Sequence, residues 1–308
     1  MIIAKNIPLK PYTSFKIGGP AEYFCTIKNI KEIEEICKFI EKNNLPVFIL
    51  GGGTNLLIND DGYKGLVIKP EIDHIYFYED GKVVCGSGVQ MPNLVYESCN
   101  LGYGGLEWAG GLPGTIGGAV RGNAGCFGFE IKDFLSSVKA INLKTKEFKV
   151  FKKDEIDFKY RDSFFKQNPE WLIIEIELKL NPGEDKYKLL KNMKEKIDYR
   201  KQNHPLEYPN AGSIFKNLNI NQVPKEVVEL ALEFNKVKNE KIPTAFLIEY
   251  LGLKGKQIGG AKISEKHANF IINLGYAKCK DVLDLINLVK EKIYERFNFV
   301  PELEIQII

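Results

Sequence analysis

Apolar positions along the chain recur at two periods, and the switches between them mark out the elements. Ala21 to Ile27 reads as a strand. The following stretch carries Ile30, Ile33, Ile36, Cys37 and Ile40 at helical spacing, so it predicts an amphipathic helix. Pro46 to Leu50 is an apolar run ending at Gly51-Gly52-Gly53, the pattern of a strand entering a tight loop. Gly65 to Ile68 predicts a short strand, Tyr76 to Cys85 a hairpin turning at Asp80-Gly81, and Pro92 to Leu101 a helix. A second hairpin is expected from Leu135–Leu143 and Glu147–Lys152, turning at Lys144–Lys146. In Trp171–Leu180, alternation is expected to put Leu172, Ile174, Ile176 and Leu178 on one side and charge on the other.

Pro182-Gly183 ends this block. A charged helix up to Gln202 then bridges to a C-terminal region. That region predicts a strand near Ser213, helices over 224–237 and 244–251, a strand at Asn269–Asn273, a helix from Asp281 to Phe297 and a closing strand from Glu302 to Ile307. The length, 308 residues, suits two domains. The pattern divides them into 1–182, made of lobes 1–68 and 69–182, a bridging helix at 183–202, and 203–308.

Composition narrows the function classes. The chain is 44% hydrophobic and 27% charged, with a net charge of +3. Lys alternates with Glu instead of gathering into a basic patch, which argues against a nucleic-acid partner. No apolar run approaches the ~20 residues of a membrane span, and the first residues lack a signal-peptide pattern. A cytoplasmic location is the expectation. The six cysteines form no CxxC pair and the three histidines are scattered, so reduced thiols and no metal are expected.

Two glycine-rich loops carry the first chemical signal: GGGTNLLI (Gly51 to Ile58) and GGLPGTIGGAVRGNAGCFG (Gly110 to Gly128). Glycines let backbone N–H groups converge on one small volume and let a ligand approach closely, which suits a pyrophosphate. Neither loop is a GxGxxG Rossmann turn or a P-loop. Neither Gly51–Asn55 nor Gly110–Ala124 holds an acidic residue, which favours an anionic ligand. The candidate cofactor residues are Gly51, Gly52, Gly53, Thr54, Asn55, Gly111, Pro113, Gly114, Thr115, Gly117, Gly118, Asn123, Ala124 and Gly125.

With YTSFKIGGPAEYF (Tyr12 to Phe24), these loops resemble the FAD-binding domain of the UDP-N-acetylenolpyruvoylglucosamine reductases. PNAGSIFKN (Pro209 to Asn217), LKGKQIGGAKISEKHANFIIN (Leu253 to Asn273) and PELEI near the end resemble that family's substrate domain, in the right order over nearly the whole chain. The resemblance implies an α+β fold: a two-lobed FAD-binding domain of the vanillyl-alcohol-oxidase type plus a C-terminal α+β substrate-binding domain. It also implies non-covalent FAD, NADPH as co-substrate, and a UDP-sugar enolpyruvyl ether as substrate.

Three catalytic residues follow from the resemblance. Arg161, in FKYRDS, matches the arginine facing the substrate carboxylate, and Ser213 matches the proton donor to C2. Glu302 matches the terminal glutamate acting with Arg161; Glu304, two residues on, is the alternative. Tyr160 and Asn217 are candidate substrate contacts. Read without the resemblance, an arginine after a strand and a serine in Ala-Gly-Ser are ordinary surface and loop residues. The short span from Arg161 to Ser213 implies the subtype without a tyrosine-bearing lid. Residues 219–241 form an extra segment, whose Leu230, Ala231 and Phe234 suggest a packed helix. The alternatives are another flavoprotein of this fold oxidising an alcohol or hydroxy acid, and a non-catalytic nucleotide binder. The sequence leaves the oligomeric state open.

Overall fold

In the computed structural model, which describes residues 2–308, the chain divides into two compact units. One comprises Met1–Ile7, Ala21–Gly52 and Tyr63–Arg200; the other comprises Pro8–Pro20, Gly53–Gly62 and Lys201–Ile308. This differs from boundaries drawn at 182 and 203. Phe15, Ile17 and Leu57, from near the start of the chain, are buried in the core of the second unit. The strand Leu56–Leu57 pairs in parallel with Gln306–Ile307. The charged helix Lys186–Asn203 buries Leu189 in a core of the first unit, so apolar burial ties it there up to Arg200.

The first unit holds two sheets. One has the order Ala4–Pro8, Pro20–Ile27, Tyr63–Pro70, Val47–Ile49, with the last three strands parallel. Its helix, Lys31–Asn43, buries Ile33, Ile36 and Cys37 on the face that the spacing predicts. Glu32 ties down the chain entering the helix by accepting from the Lys28 N–H at 2.7 Å, and left-handed Asn44 ends it. The other sheet is antiparallel, in the order Phe148–Lys152, Leu135–Asn142, Trp171–Lys179, Lys82–Gly86, Ile75–Phe77. Both expected hairpins are present. In the second, Asn142 Oδ1 accepts from the N–H groups of Lys144 and Thr145 and so sets the turn.

The alternation expected in Trp171–Leu180 is corrected by a bulge. Glu175 pairs with Lys139 but Ile173 with Ala140, so Ile174 is an extra residue. Its insertion flips the faces. Leu172 and Ile174 enter the core shared with the parallel sheet, whereas Ile173, Ile176 and Leu178 enter the core under the helices.

The second unit is built on the helix Cys279–Phe297, which buries Val282, Leu285, Ile286, Val289, Ile293 and Phe297. It packs on the antiparallel strands Gln257–Ile258, Ala261–Ile263 and Ile271–Asn273. The extra segment is closed at its base by Leu218–Asn219 pairing with Lys241–Ile242. Its helix, Lys225–Glu233, buries Val227 and Ala231 and packs Leu230 against the core. Phe234 lies half outside, against the rings of Phe246 and Tyr250. Among the described residues no helix is long and apolar enough to cross a membrane, and no group of His, Cys, Asp or Glu is placed to hold a metal. All six cysteines are free, and burial pushes the Cys25, Cys85 and Cys99 thiols up to about 12.

Candidate active site

In the first unit the two glycine loops lie backbone against backbone. Leu50 donates to Ile68 O, which ends the strand pairing and releases the chain at Gly51. A Cβ on Gly52 would lie 2.5 Å from Gly114 Cα, and one on Gly51 would lie 3.0 Å from Thr115 Oγ1. Only glycine allows that approach. Thr115 caps the helix Ile116–Arg121 by accepting from Gly118 N at 3.3 Å. Met91 donates to Gly114 O and Gly117 donates to Ser87 O, which anchors the second loop from behind. Among the described residues the N–H groups of Gly51, Gly52, Gly114 and Thr115 donate to no protein acceptor. Ser87 Oγ is buried without a partner behind Gly117.

The far end of the second loop has a different task. Asn123 is fully buried, and its Nδ2 donates to Glu130 Oε2 at 3.0 Å and to Lys159 O at 2.9 Å. With both amide protons committed, its side chain is a brace between this loop and the Tyr160–Arg161 turn. Arg200 braces the loop from the other side, its Nε donating to Gly110 O at 3.0 Å and its Nη2 to Cys126 Sγ at 2.9 Å. Burial raises the Cys126 thiol pKa against the opposing pull of Arg200 and Arg161. Gly111 and Pro113 lie on the surface of the loop, and Gly118 is exposed at the start of the helix.

Arg161 sits in a two-residue turn closed by Lys159 and Asp162, each donating its N–H to the other's carbonyl. Its φ is +58°, a left-handed conformation that a long side chain rarely adopts. Lys166 Nζ holds its carbonyl at 2.7 Å, and its Nη2 donates to Gly125 O at 2.8 Å. The guanidinium lies 4.9 Å from the centre of the Tyr160 ring. Backbone strain at a positively charged side chain beside a glycine loop is the kind of feature that function retains.

The remaining candidates belong to the second unit. Gly53 has φ +64°, and a Cβ there would lie 2.0 Å from Tyr12 O. Asn55 Nδ2 donates to Glu304 O at 3.0 Å, and Thr54 is half-buried between them. The stretch around Ser213 runs between two neighbours. Ser213 bridges Phe270, and Phe215 bridges Leu303. Glu304 donates to Ile214 O at 2.8 Å and Lys216 donates to Glu302 O at 2.9 Å. The serine and both candidate glutamates are thus brought onto adjacent segments. The Glu302 carboxylate is 77% exposed and pairs with Lys216 Nζ at 2.8 Å. Asn217 is exposed at the edge of this group.

Three residues here escaped the sequence reading. Lys216 supplies the cation at Glu302, and its position inside SIFKN was the available signal. Asn269 lends a strand-like pair to Phe215, accepting from its N–H at 3.0 Å and donating to its carbonyl at 2.8 Å. His267, whose pKa burial lowers, accepts from Asn269 N at 3.2 Å and so fixes that asparagine.

The profile of an FAD binding domain matches residues 21–149, and that of the UDP-N-acetylenolpyruvoylglucosamine reductase C-terminal domain matches residues 204–308. A UDP-N-acetylenolpyruvoylglucosamine reductase of Carboxydothermus hydrogenoformans is 38% identical over 99% of this chain and 94% of its own. The chain belongs to the UDP-N-acetylenolpyruvoylglucosamine reductase family. A relative of that name from Synechococcus is 36% identical over 99% of this chain and 91% of its own. The crystal structure of the Thermus caldophilus UDP-N-acetylenolpyruvylglucosamine reductase, 32% identical, superposes with a TM-score of 0.77 over 99% of this chain and 98% of that one.

The residues present fit the flavin dinucleotide of these reductases. Unpaired backbone N–H groups stand on two loops that only glycine lets meet, with no carboxylate among Gly51–Asn55 or Gly110–Ala124 to repel a pyrophosphate. Between Arg161 and Ser213 this reductase has the short helix Phe164–Gln167, the strand Trp171–Lys179 and the helix Lys186–Asn203. Gly52→Ala is expected to force the loops apart, at about 1–3 kcal/mol for an added methyl in a closed contact. Titrating the apoprotein with FAD by fluorescence should show binding weakened about tenfold or more, a tenfold loss being ~1.4 kcal/mol.

Proposed function

We propose that this chain catalyses the NADPH-dependent, FAD-mediated reduction of UDP-N-acetylglucosamine enolpyruvate to UDP-N-acetylmuramate, a cytoplasmic step in making peptidoglycan precursors. The observation that carries the reading is the pair of glycine loops, closed on one another at Gly52 and Gly114 with their N–H groups unspent. FAD, when bound, supplies the hydride chemistry, taking hydride from NADPH and giving it to C3 of the enolpyruvyl group. The chain's own residues do the rest.

Hydride arriving at C3 leaves an electron pair at C2, conjugated into the carboxylate. Arg161 binds that carboxylate. Its guanidinium keeps its charge at any working pH and presents a planar fork, so it holds the growing negative charge without reorganising. The turn closed by Lys159 and Asp162, the Gly125 carbonyl and the Tyr160 ring orient it beforehand. Ser213 donates its hydroxyl proton to C2, completing addition of one hydride and one proton across the double bond. A serine is a weak acid, so it serves only a strongly basic carbon held close by. Lys216, three residues on, pairs with Glu302 and holds that carboxylate in place. Glu302 acts on the carboxylate together with Arg161, and Asn217 and Tyr160 line the substrate.

The test is optical. The purified protein is expected to be yellow, with absorbance near ~450 nm from its flavin. Under anaerobic conditions NADPH should bleach it, and the enolpyruvyl ether of UDP-N-acetylglucosamine should restore the colour. A protein that takes up no FAD, or whose bleached flavin ignores that ether, would overturn the proposal.

A further inference from the structure

Ser14 stands in the YTSF stretch, and no step above uses it. Its backbone N–H donates to Gly53 O at 3.0 Å, and its hydroxyl donates to Asn210 O at 2.7 Å. Gly53 closes the triple glycine of the first loop, and Asn210 is three residues ahead of Ser213. The hydroxyl also lies 3.4 Å from Gly53 O. A hydroxyl has one proton to give, and the shorter contact takes it. The two halves of Ser14 therefore have separate duties: its main chain holds the glycine loop, and its side chain holds the turn that leads to Ser213.

Other bonds hold that turn as well. Asn210 Oδ1 accepts from Gly212 N at 3.0 Å, and Asn210 Nδ2 donates to Tyr208 O at 2.9 Å and Pro205 O at 3.2 Å. These bonds shape the turn but are local to it. Gly212 has φ +78°, and nothing lies within 4 Å of where its Cβ would be, so one side is open. The ties to more distant chain are Asn273 N to Pro209 O at 2.9 Å, Ile214 N to Asn269 O at 2.8 Å, Glu304 N to Ile214 O at 2.8 Å, and the Ser14 hydroxyl to Asn210 O at 2.7 Å. The first two run to the Asn269–Asn273 stretch. Glu304 leads on to Asn55, whose Nδ2 donates to its carbonyl, and Ser14 leads to Gly53 through its own backbone N–H. Tyr12 O pressed against Gly53 leaves that end little freedom to shift.

We propose that Ser14 is a positioning residue that sets the turn carrying the Ser213 hydroxyl at a fixed distance from Gly53, the last glycine of the triple. The proposal rests on the reading of Ser213 as the proton donor. A shift of ~1 Å in a reacting group can cost on the order of a hundredfold in rate. A single hydrogen bond at this point is therefore worth far more to proton delivery than to folding.

Three variants of the full-length protein test it: Ser14→Ala, Ser14→Val and Ser14→Thr. Valine has the shape of threonine without the hydroxyl. In apoprotein, hydrogen exchange of the peptide spanning 209–214 should quicken in Ser14→Ala and Ser14→Val and return to the wild-type rate in Ser14→Thr. In flavin-loaded protein, reoxidation by the enolpyruvyl ether should slow about ten- to a hundredfold in the first two variants and be rescued in the third. NADPH reduction, FAD affinity and the KM for the ether should change less than about threefold. Wild-type exchange at 209–214 with wild-type reoxidation in Ser14→Ala would overturn the proposal. So would an equal slowing of both half-reactions that threonine fails to rescue, because that is the mark of a general folding role. If the wild type itself ignores the ether, the functional reading fails, and the exchange result still decides whether Ser14 holds the turn.

Discussion

Ser213→Ala is expected to leave NADPH reduction of the flavin at its wild-type rate and to slow reoxidation by the enolpyruvyl ether by about 10²–10⁴-fold, the usual worth of a positioned general acid. The split follows from the division of labour. NADPH reduction needs no proton at C2, whereas substrate reduction cannot finish without one. The structure gives no reason for the variant to misfold. Ser213 pairs with Phe270 through its backbone, which alanine keeps, and its neighbours Ile214 and Phe215 remain buried. Stopped-flow traces of the two half-reactions decide the matter. Equal slowing of both would remove Ser213 from the proton-donor role. Ser213→Cys, a stronger acid of similar size, should recover part of the lost rate if proton delivery is the step affected.

Arg161→Lys should lower the rate of substrate reduction by on the order of 10²–10³-fold, the scale seen when one preorganised donor to developing charge is lost. Lysine keeps the charge but not the planar fork, and it cannot reproduce the Nη2 bond to Gly125 O while gripping a carboxylate with a second donor. Strain adds a second, independent reading. Holding a non-glycine residue at φ +58° costs roughly 1–2 kcal/mol. Arg161→Gly removes that cost and gives up contacts that include the Nη2 bond to Gly125 O and the Tyr160 ring, each worth about 1 kcal/mol. With the terms opposed, it is expected to melt close to the wild type while losing substrate reduction. A variant that keeps its stability but not its chemistry marks a side chain retained for function. Near-normal turnover of Arg161→Lys would instead show that any cation suffices there.

Much of this was legible in the sequence because the signals are local. The helix over Lys31–Asn43 follows from the spacing of Ile33, Ile36 and Cys37, and the hairpin at Lys144–Lys146 from the stretches Leu135–Leu143 and Glu147–Lys152 that flank it. The glycine loops stood out because only glycine suits two backbones 2.5 Å from a would-be Cβ. What stayed hidden depends on contacts far apart in the chain. Phe15 and Leu57 read as parts of an N-terminal domain, yet their apolar surface is buried with Ile214 and Leu285. The bulge at Ile174 leaves no mark because Trp171–Ile174 is a continuous apolar run, with Leu172 and Ile174 in one core and Ile173 in the other. Asn123 looked like a ligand contact, and its spatial neighbours Glu130 and Lys159 make it a brace. Lys216 was passed over because a lysine beside a catalytic motif looks like any surface lysine until Glu302 is seen across from it.

The most direct measurement is a crystal structure of the flavin-loaded protein. The account predicts the FAD pyrophosphate oxygens within hydrogen-bond distance of the backbone N–H groups of Gly52 and Thr115. A flavin seated elsewhere, with those amides facing solvent, would contradict it.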